Sequence, residues 1–217
     1  MIDVHAIMHR LAERRPIFHS EADFQHAFAW ELHQCLPGAQ VRLELPVQVE
    51  AKRLHLDIWV ANQGRIAAIE LKYPTARLNV AVDGEEYHLA AGAPDYSLYD
   101  YIKDVERLEQ ITGTYSNAAG YAIMLTNDRA HWTPSPNSIG AAFRLPEGRE
   151  VRGSGTWGTA AGAGSKKGYE REIVLGGSYT VRWHDYARVD ASAGGSFRYM
   201  LIGVGGAAPA NHPSHQG

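Results

Sequence analysis

The sequence predicts an α/β protein in which the elements follow the order helix, three strands, helix, strand. Three consecutive segments between residues 41 and 72 alternate apolar and polar side chains with the period of a β-strand. Apolar stripes with helical spacing precede and follow them, at residues 20–36 and 95–111. The continuous apolar run from 121 to 126 then predicts a strand buried on both faces.

Two helices are predicted before the strands. The first spans residues 3–14, where Asp3 can cap the start and Pro16 ends the helix. The second begins after Ser20, a favourable N-cap residue, and stops at Pro37-Gly38. Its apolar stripe contains Phe24, Phe28, Leu32, Cys35 and Leu36.

The three strands are predicted at residues 41–49, 54–61 and 65–72. Pro46 within the first indicates an edge strand or a bulge. In the second strand, Leu54, Leu56, Ile58 and Val60 are expected to share one face, with His55, Asp57 and Trp59 on the other.

The rest of the chain gives weaker signals. Residues 74–94 are predicted to be irregular, and a loop rich in Gly, Ala and Ser is expected at 153–168. Late strands are expected at 172–175, 179–186 and 197–204, and a disordered tail at 205–217. We therefore expect a single domain over residues 1–204, with a core at 20–127 and a β-rich C-terminal extension at 131–204.

Composition limits the environment and the partners. The 217 residues carry a formal net charge of −3, so contact with a nucleic acid would need a local basic patch. The single cysteine, Cys35, fits a reducing compartment. No apolar run reaches the roughly 18 residues of a membrane span, and the start lacks a basic signal region. A cytoplasmic protein without a membrane partner is expected.

Three charged residues in the second and third predicted strands indicate a functional site. Asp57, Glu70 and Lys72 interrupt otherwise apolar strands, and buried ions are costly unless they are paired or bind a metal. A turn with an even number of residues, such as Gln63-Gly64, would place Asp57 opposite Glu70. The two carboxylates would then converge on one spot.

Two facing carboxylates favour a divalent cation, because without one they repel and one must hold a proton. Oxygen ligands suit Mg²⁺. Lys72 lies on the same face as Glu70, about 6–7 Å along the strand, where its ammonium can reach an attacking water or a phosphate oxygen. The hairpin therefore predicts metal-assisted hydrolysis. The alternative is a surface hairpin whose solvated face carries three charges.

Glu21 has two interpretations. At about 100° per residue it lies close to the apolar stripe of its helix, which directs its carboxylate toward whatever the helix packs on. Asp57 and Glu70 are therefore expected on the face of the hairpin toward which this helix packs. Glu21 is also an acid in a first turn, where it favours the helix dipole.

Asp57, twelve residues, then Glu70-Leu71-Lys72 resembles the motif of the PD-(D/E)XK nuclease superfamily, which has the restriction-endonuclease-like fold. The predicted element order from Ser20 to Thr126 is similar to that core. Leu56 stands where many members have proline. The resemblance implies that Asp57, Glu70 and the Leu71 carbonyl hold Mg²⁺, with Mn²⁺ as a substitute. It also implies that Lys72 assists the attacking water and that Glu21 is an additional catalytic acid.

The resemblance implies a Mg²⁺-dependent DNA endonuclease of a restriction, defence or repair type. It also implies a homodimer, since many members act as dimers in which each site cuts one strand. Candidate contacts to nucleic-acid backbone are Lys52, Arg53, Arg77, Lys166 and Lys167. Lys103 and Arg107 are expected on a solvated helix surface. A non-catalytic binding module on the same fold and a small-molecule metal hydrolase remain as alternatives.

Overall fold

The computed structural model describes residues 2–49, 52–133, 140–158, 162 and 167–205. The helices are α1 (Val4–Arg14), α2 (Glu21–Cys35) and α3 (Pro94–Thr114). The strands are β1 (Gln40–Val49), β2 (Lys52–Asn62), β3 (Arg65–Lys72), β4 (Leu78–Val82), β5 (Glu85–Leu89), β6 (Ala118–Thr126), β7 (Glu150–Gly155), β8 (Ile173–Thr180), β9 (Trp183–Arg188) and β10 (Ser196–Val204).

A six-stranded sheet with the order β1-β2-β3-β6-β10-β9 organises the chain. All its neighbours pair antiparallel except β3 and β6, which are parallel and joined through α3. The order α2, three antiparallel strands, α3 and a parallel strand agrees with the predicted order, except that the β4–β5 hairpin lies between β3 and α3. The protein is therefore a mixed α/β structure with a mostly antiparallel sheet.

Helices cover both faces of the sheet. Helices α1 and α2 pack on one face, where Phe24 and Phe28 join Ile69 and Leu71 in a buried cluster. Helix α3 covers the other face, where Leu108 is buried in a cluster with several sheet residues, among them Ala68, Ala122, Met124 and Met200. Because the side chains of β3 alternate between these layers, Glu70 and Lys72 lie on the α3 side.

The predicted single apolar face of β2 is wrong. Ile58 and Val60 pack in the α2 layer, whereas Leu56 packs in the α3 layer. The change occurs where Glu44 of β1 has φ 51° and does not pair, between Leu43↔Ile58 and Leu45↔Leu56. Beyond this irregularity the buried side chains of both strands pack in the α3 layer, as Val47 and Val49 of β1 and Leu56 of β2 show. The prediction of an edge strand at Pro46 is confirmed, since β1 ends the sheet.

The prediction that residues 74–94 are irregular is also wrong. Strands β4 and β5 form an antiparallel hairpin joined by Asp83-Gly84, both with positive φ. An Asp-Gly pair is a strong signal for such a two-residue turn. The apolar side chains Leu78, Tyr87 and Leu89 anchor this hairpin in the α2 layer.

The C-terminal part contributes two kinds of structure. Strands β9 and β10 extend the central sheet, while β7 and β8 form a separate hairpin. The last three residues of β7 fall within residues 153–168, where the sequence predicts a loop. The predicted strand 179–186 covers the end of β8 and most of β9. Residues 206–217 of the predicted tail lie outside the described residues. No described helix is both long and apolar enough to cross a membrane.

Candidate active site

The β2–β3 hairpin has the predicted register. Asn62 pairs with Arg65 and Ile58 with Ile69, so Gln63-Gly64 forms a two-residue turn. Both turn residues have positive φ, 48° and 73°, which matches the twist of the flanking strands. One more step in the same register sets Asp57 beside Glu70.

A cleft of about 500 Å³ lies at this end of the sheet. Four elements and the segment after β3 supply its walls. The lining residues are Glu21, His55, Asp57, Glu70, Lys72, Tyr73, Pro74, Ser97, Asp100, Lys103, Asp104 and Arg107. All four side chains predicted to be catalytic therefore meet in one cleft.

Asp57 is fixed by two neighbouring elements. Its Oδ2 accepts a hydrogen bond from the Leu71 N–H at 2.7 Å. Its backbone carbonyl accepts one at 2.9 Å from Gln25 Nε2, which also donates to Glu44. Burial raises the pKa of Asp57, against the lowering effect of the Leu71 N–H and the Lys72 ammonium.

Glu70 is almost completely buried, with 2% of its surface exposed. Its Oε1 accepts a hydrogen bond from Arg107 Nη1 at 2.6 Å. Burial raises the pKa of Glu70 well above its usual range, and the carboxylates of Asp104 and Asp57 add to the shift. The guanidinium partly offsets these effects, so Glu70 depends on a nearby cation to hold its charge.

Lys72 is the last residue of β3, and its side chain extends toward α3. Its Nζ is 2.9 Å from Asp104 Oδ2 and donates to the Leu71 carbonyl at 3.2 Å. Burial disfavours the ammonium, but the carboxylates of Asp104 and Glu21 outweigh it and raise the pKa of Lys72. The side chain is therefore a permanent cation at neutral pH.

Glu21 reaches the cleft from the first turn of α2. Its Oε2 accepts a hydrogen bond from the Tyr73 N–H at 2.8 Å, and Oε1 is 4.0 Å from Lys72 Nζ. Burial raises the pKa of Glu21, and the Lys72 ammonium lowers it. Glu21 does not face the apolar layer beneath α2, because its side chain is half exposed at the edge of the sheet.

The expectation that the reactive face of the hairpin lies toward α2 is therefore wrong. Glu70 and Lys72 point to α3, where their ion-pair partners Arg107 and Asp104 are located. Glu21 joins them only because α2 begins beyond the end of β3. Two helices on opposite sides of the sheet thus contribute to one cleft.

Sequence reasoning missed two members of the site. Asp104 is 5% exposed and pairs with Lys72, and Arg107 pairs with Glu70, so the expected solvated surface is wrong for these residues. A signal was present: Asp100, Asp104 and Arg107 have the spacing i, i+4, i+7 on one helix face. A polar stripe on α3, the next helix in the chain after Glu70 and Lys72, indicates a shared site.

The donor atoms suit a divalent metal, but they are engaged with the protein's own cations. Carboxylates of Asp57 and Glu70 and the Leu71 carbonyl are hard oxygen ligands of the kind that Mg²⁺ prefers. Asp104 Oδ2 is buried without a hydrogen bond of good geometry, with Lys72 as its ion-pair partner. Among the described residues, no three acidic, histidine or cysteine side chains form a ready metal site. A metal that binds Glu70 through Oε1 would compete with Arg107 for this oxygen.

Three of the candidate contacts to nucleic acid, Arg53, Arg77 and Lys167, do not line the cleft. Arg53, Arg77 and Lys167 are exposed elsewhere, and Lys52 lies in the outer part of β2. Lys166 lies outside the described residues. The cations that do line the cleft are Lys72, Lys103 and Arg107.

Comparisons of this chain with protein-family models, with curated proteins and with solved structures found no match.

Proposed function

We propose that the chain is a divalent-metal-dependent nuclease with a restriction-endonuclease-like core, acting on DNA phosphodiester bonds. The observation that carries the proposal is the convergence of Glu21, Asp57, Glu70 and Lys72 in one cleft. These residues come from three separate elements. A solvated surface hairpin would not require an acid from α2 to meet the same spot.

Asp57, Glu70 and the Leu71 carbonyl are the proposed metal ligands. A bound Mg²⁺ or Mn²⁺ supplies Lewis-acid polarisation of a phosphoryl oxygen and stabilises negative charge. The Leu71 N–H holds Asp57 in place, since it donates to Oδ2 and leaves Oδ1 free of this bond. The ligand set is thereby fixed to the backbone of β3.

Lys72 is proposed to stabilise the charge of the reacting phosphate, and Glu21 is proposed to orient Lys72. The Lys72 ammonium carries a positive charge beside both the Leu71 carbonyl and Asp104. That charge stabilises the pentavalent phosphate as it gains electron density. Glu21 orients Lys72 from 4.0 Å and is tied to the Tyr73 N–H.

The DNA substrate and a homodimeric state follow from the resemblance in the Asp57–Lys72 motif. Three cations line the cleft, and phosphate oxygens are their natural partners. The chain's net charge of −3 restricts such contacts to local groups of this kind.

One observation favours a second candidate, a non-catalytic binding module on the same fold. The Arg107–Glu70 ion pair neutralises the most buried acid of the cleft without any metal. A scaffold that had lost catalysis could keep such a pair for stability. Metal dependence of any cleavage therefore decides between the two candidates.

The test is digestion of supercoiled plasmid DNA by the purified chain with Mg²⁺ or Mn²⁺, beside EDTA. We expect nicking or linearisation that EDTA abolishes and that Asp57→Asn and Glu70→Gln reduce by at least about 100-fold. Glu86→Gln removes one acid from an exposed position on β5 and serves as the matched control. Cleavage that survives EDTA and both site variants contradicts the assignment. Absence of metal-dependent cleavage favours the binding module.

A further inference from the structure

Two cations of the protein contact the atoms proposed to bind the metal. Arg107 Nη1 is 2.6 Å from Glu70 Oε1, and Lys72 Nζ is 3.2 Å from the Leu71 carbonyl oxygen. The two cations differ in which carboxylate is their closest partner. Lys72 keeps a much closer partner in Asp104, whereas Glu70 is the carboxylate that Arg107 approaches most closely.

Burial makes the Arg107 contact important for Glu70. Glu70 is 2% exposed, and an uncompensated carboxylate at such a position is strongly destabilising. In the metal-free protein the Arg107 guanidinium is the cation in direct contact with the Glu70 carboxylate.

A guanidinium and a divalent cation compete when both approach Glu70 Oε1, because the two positive charges repel each other at contact distance. Arg107 has an alternative partner, because Asp104 Oδ1 lies 3.5 Å from the same Nη1. A small rotation toward Asp104 would free the Glu70 oxygen without leaving the guanidinium unpaired.

We propose that Arg107 is a built-in competitor of the divalent metal for Glu70, which is displaced toward Asp104 when the metal binds. The inference rests on the proposed metal site and adds its regulation. Arg107 lowers the metal affinity of the free protein and stabilises the cleft until the metal arrives. Removal of the guanidinium therefore strengthens metal binding, although it takes a cation away from a site proposed for catalysis.

The test is calorimetric titration of Mn²⁺ alone into the wild-type protein and single variants at constant ionic strength. Arg107→Gln should bind Mn²⁺ about tenfold more tightly than wild type, which is the scale of one charged hydrogen bond. Arg107→Lys keeps the charge on a shorter side chain and should give an intermediate affinity. Glu70→Gln should bind most weakly.

Lys103→Gln is the matched control. It removes the same charge from a residue that lines the same cleft one turn earlier on α3. Its affinity should stay within about twofold of wild type, because Lys103 forms no ion pair with Asp57 or Glu70 among the described contacts and its charge is partly screened by solvent. A general electrostatic effect would instead strengthen binding equally in both variants, and that result would overturn the competition.

Thermal unfolding gives a second readout. Without metal, Arg107→Gln should melt at a lower temperature than wild type, because Glu70 loses its counterion. Saturating Mn²⁺ should then raise the Tm of this variant more than the Tm of wild type.

If Arg107→Gln does not fold, the Mn²⁺ affinity of Arg107→Lys decides. One result would overturn the competition by Arg107 but leave the proposed metal site intact. In that result, wild type binds Mn²⁺, Glu70→Gln does not, and the Arg107 variants bind no more tightly than wild type. No Mn²⁺ binding by wild type or any Arg107 variant overturns the proposed function as well.

Discussion

The Asp57 carboxylate accepts a hydrogen bond from the backbone N–H of Leu71 at 2.7 Å. This contact ties the acid of β2 to the peptide between Glu70 and Lys72. It restricts Asp57 to a position beside both residues, so the geometry of the candidate site depends on backbone structure and not on side-chain packing alone.

Asp57→Ala should be less stable than Asp57→Asn by about 1–3 kcal/mol, which is the cost of a buried N–H that loses its acceptor. Leu71 is fully buried, so water cannot replace the lost contact. Both variants remove the same charge, and their difference isolates the hydrogen bond. Urea unfolding in EDTA measures it, and equal stability of the two variants would show that this bond does not fix Asp57.

The metal-free protein should lose stability relative to Glu70→Gln as the pH rises above about 4.5, the usual pKa of a glutamate. Burial and the neighbouring acids raise the pKa of Glu70 in the folded state, so the folded state holds this proton more tightly than the unfolded state. The resulting stabilisation is present at low pH and is lost as the pH rises toward the folded pKa.

The measurement is a series of urea unfolding curves in EDTA between mildly acidic and neutral pH. Subtracting the Glu70→Gln series removes the contribution of the other titrating groups. A wild-type protein that gains stability relative to Glu70→Gln with rising pH would contradict the shifted pKa.

Lys72→Met should destabilise the protein by about 3 kcal/mol, because Asp104 is 5% exposed and loses its closest cation. Asp104→Asn in the same chain should recover part of this loss. The double-mutant cycle should therefore give a coupling energy of about 1–3 kcal/mol. Additive effects of the two substitutions in urea unfolding would show that the ion pair contributes nothing to the fold.

Glu21→Gln should reduce metal-dependent cleavage by about 10–100-fold and leave stability nearly unchanged. The amide oxygen can still accept from the Tyr73 N–H, but the charge that orients Lys72 is gone. Steady-state cleavage rates and Tm separate the two effects. Full activity in Glu21→Gln would assign this residue to capping and orienting α2 only.

The part of the candidate site that depends on local sequence patterns could be predicted from the sequence. The two-residue turn at Gln63-Gly64 sets the strand register, and the register alone places Asp57 near Glu70. Which helix faces the acids was not predictable in the same way. That choice depends on α3 crossing the sheet between β3 and β6, a long-range arrangement that alternation within β3 cannot specify.

The same limit explains Asp104 and Arg107. On an isolated helix their spacing is typical of a solvated polar face. Their burial results from Glu70 and Lys72 lying beneath that face. The missed β4–β5 hairpin is a different case, since its Asp83-Gly84 turn was a local signal.

A crystal structure of the protein soaked in Mn²⁺ tests the central claim most directly, because anomalous scattering locates the ion. The account predicts one anomalous peak in contact with Asp57, Glu70 and the Leu71 carbonyl, with the Arg107 guanidinium moved from Glu70 toward Asp104. A cleft that holds no Mn²⁺ at saturating concentration, with Arg107 still bound to Glu70, would contradict the account.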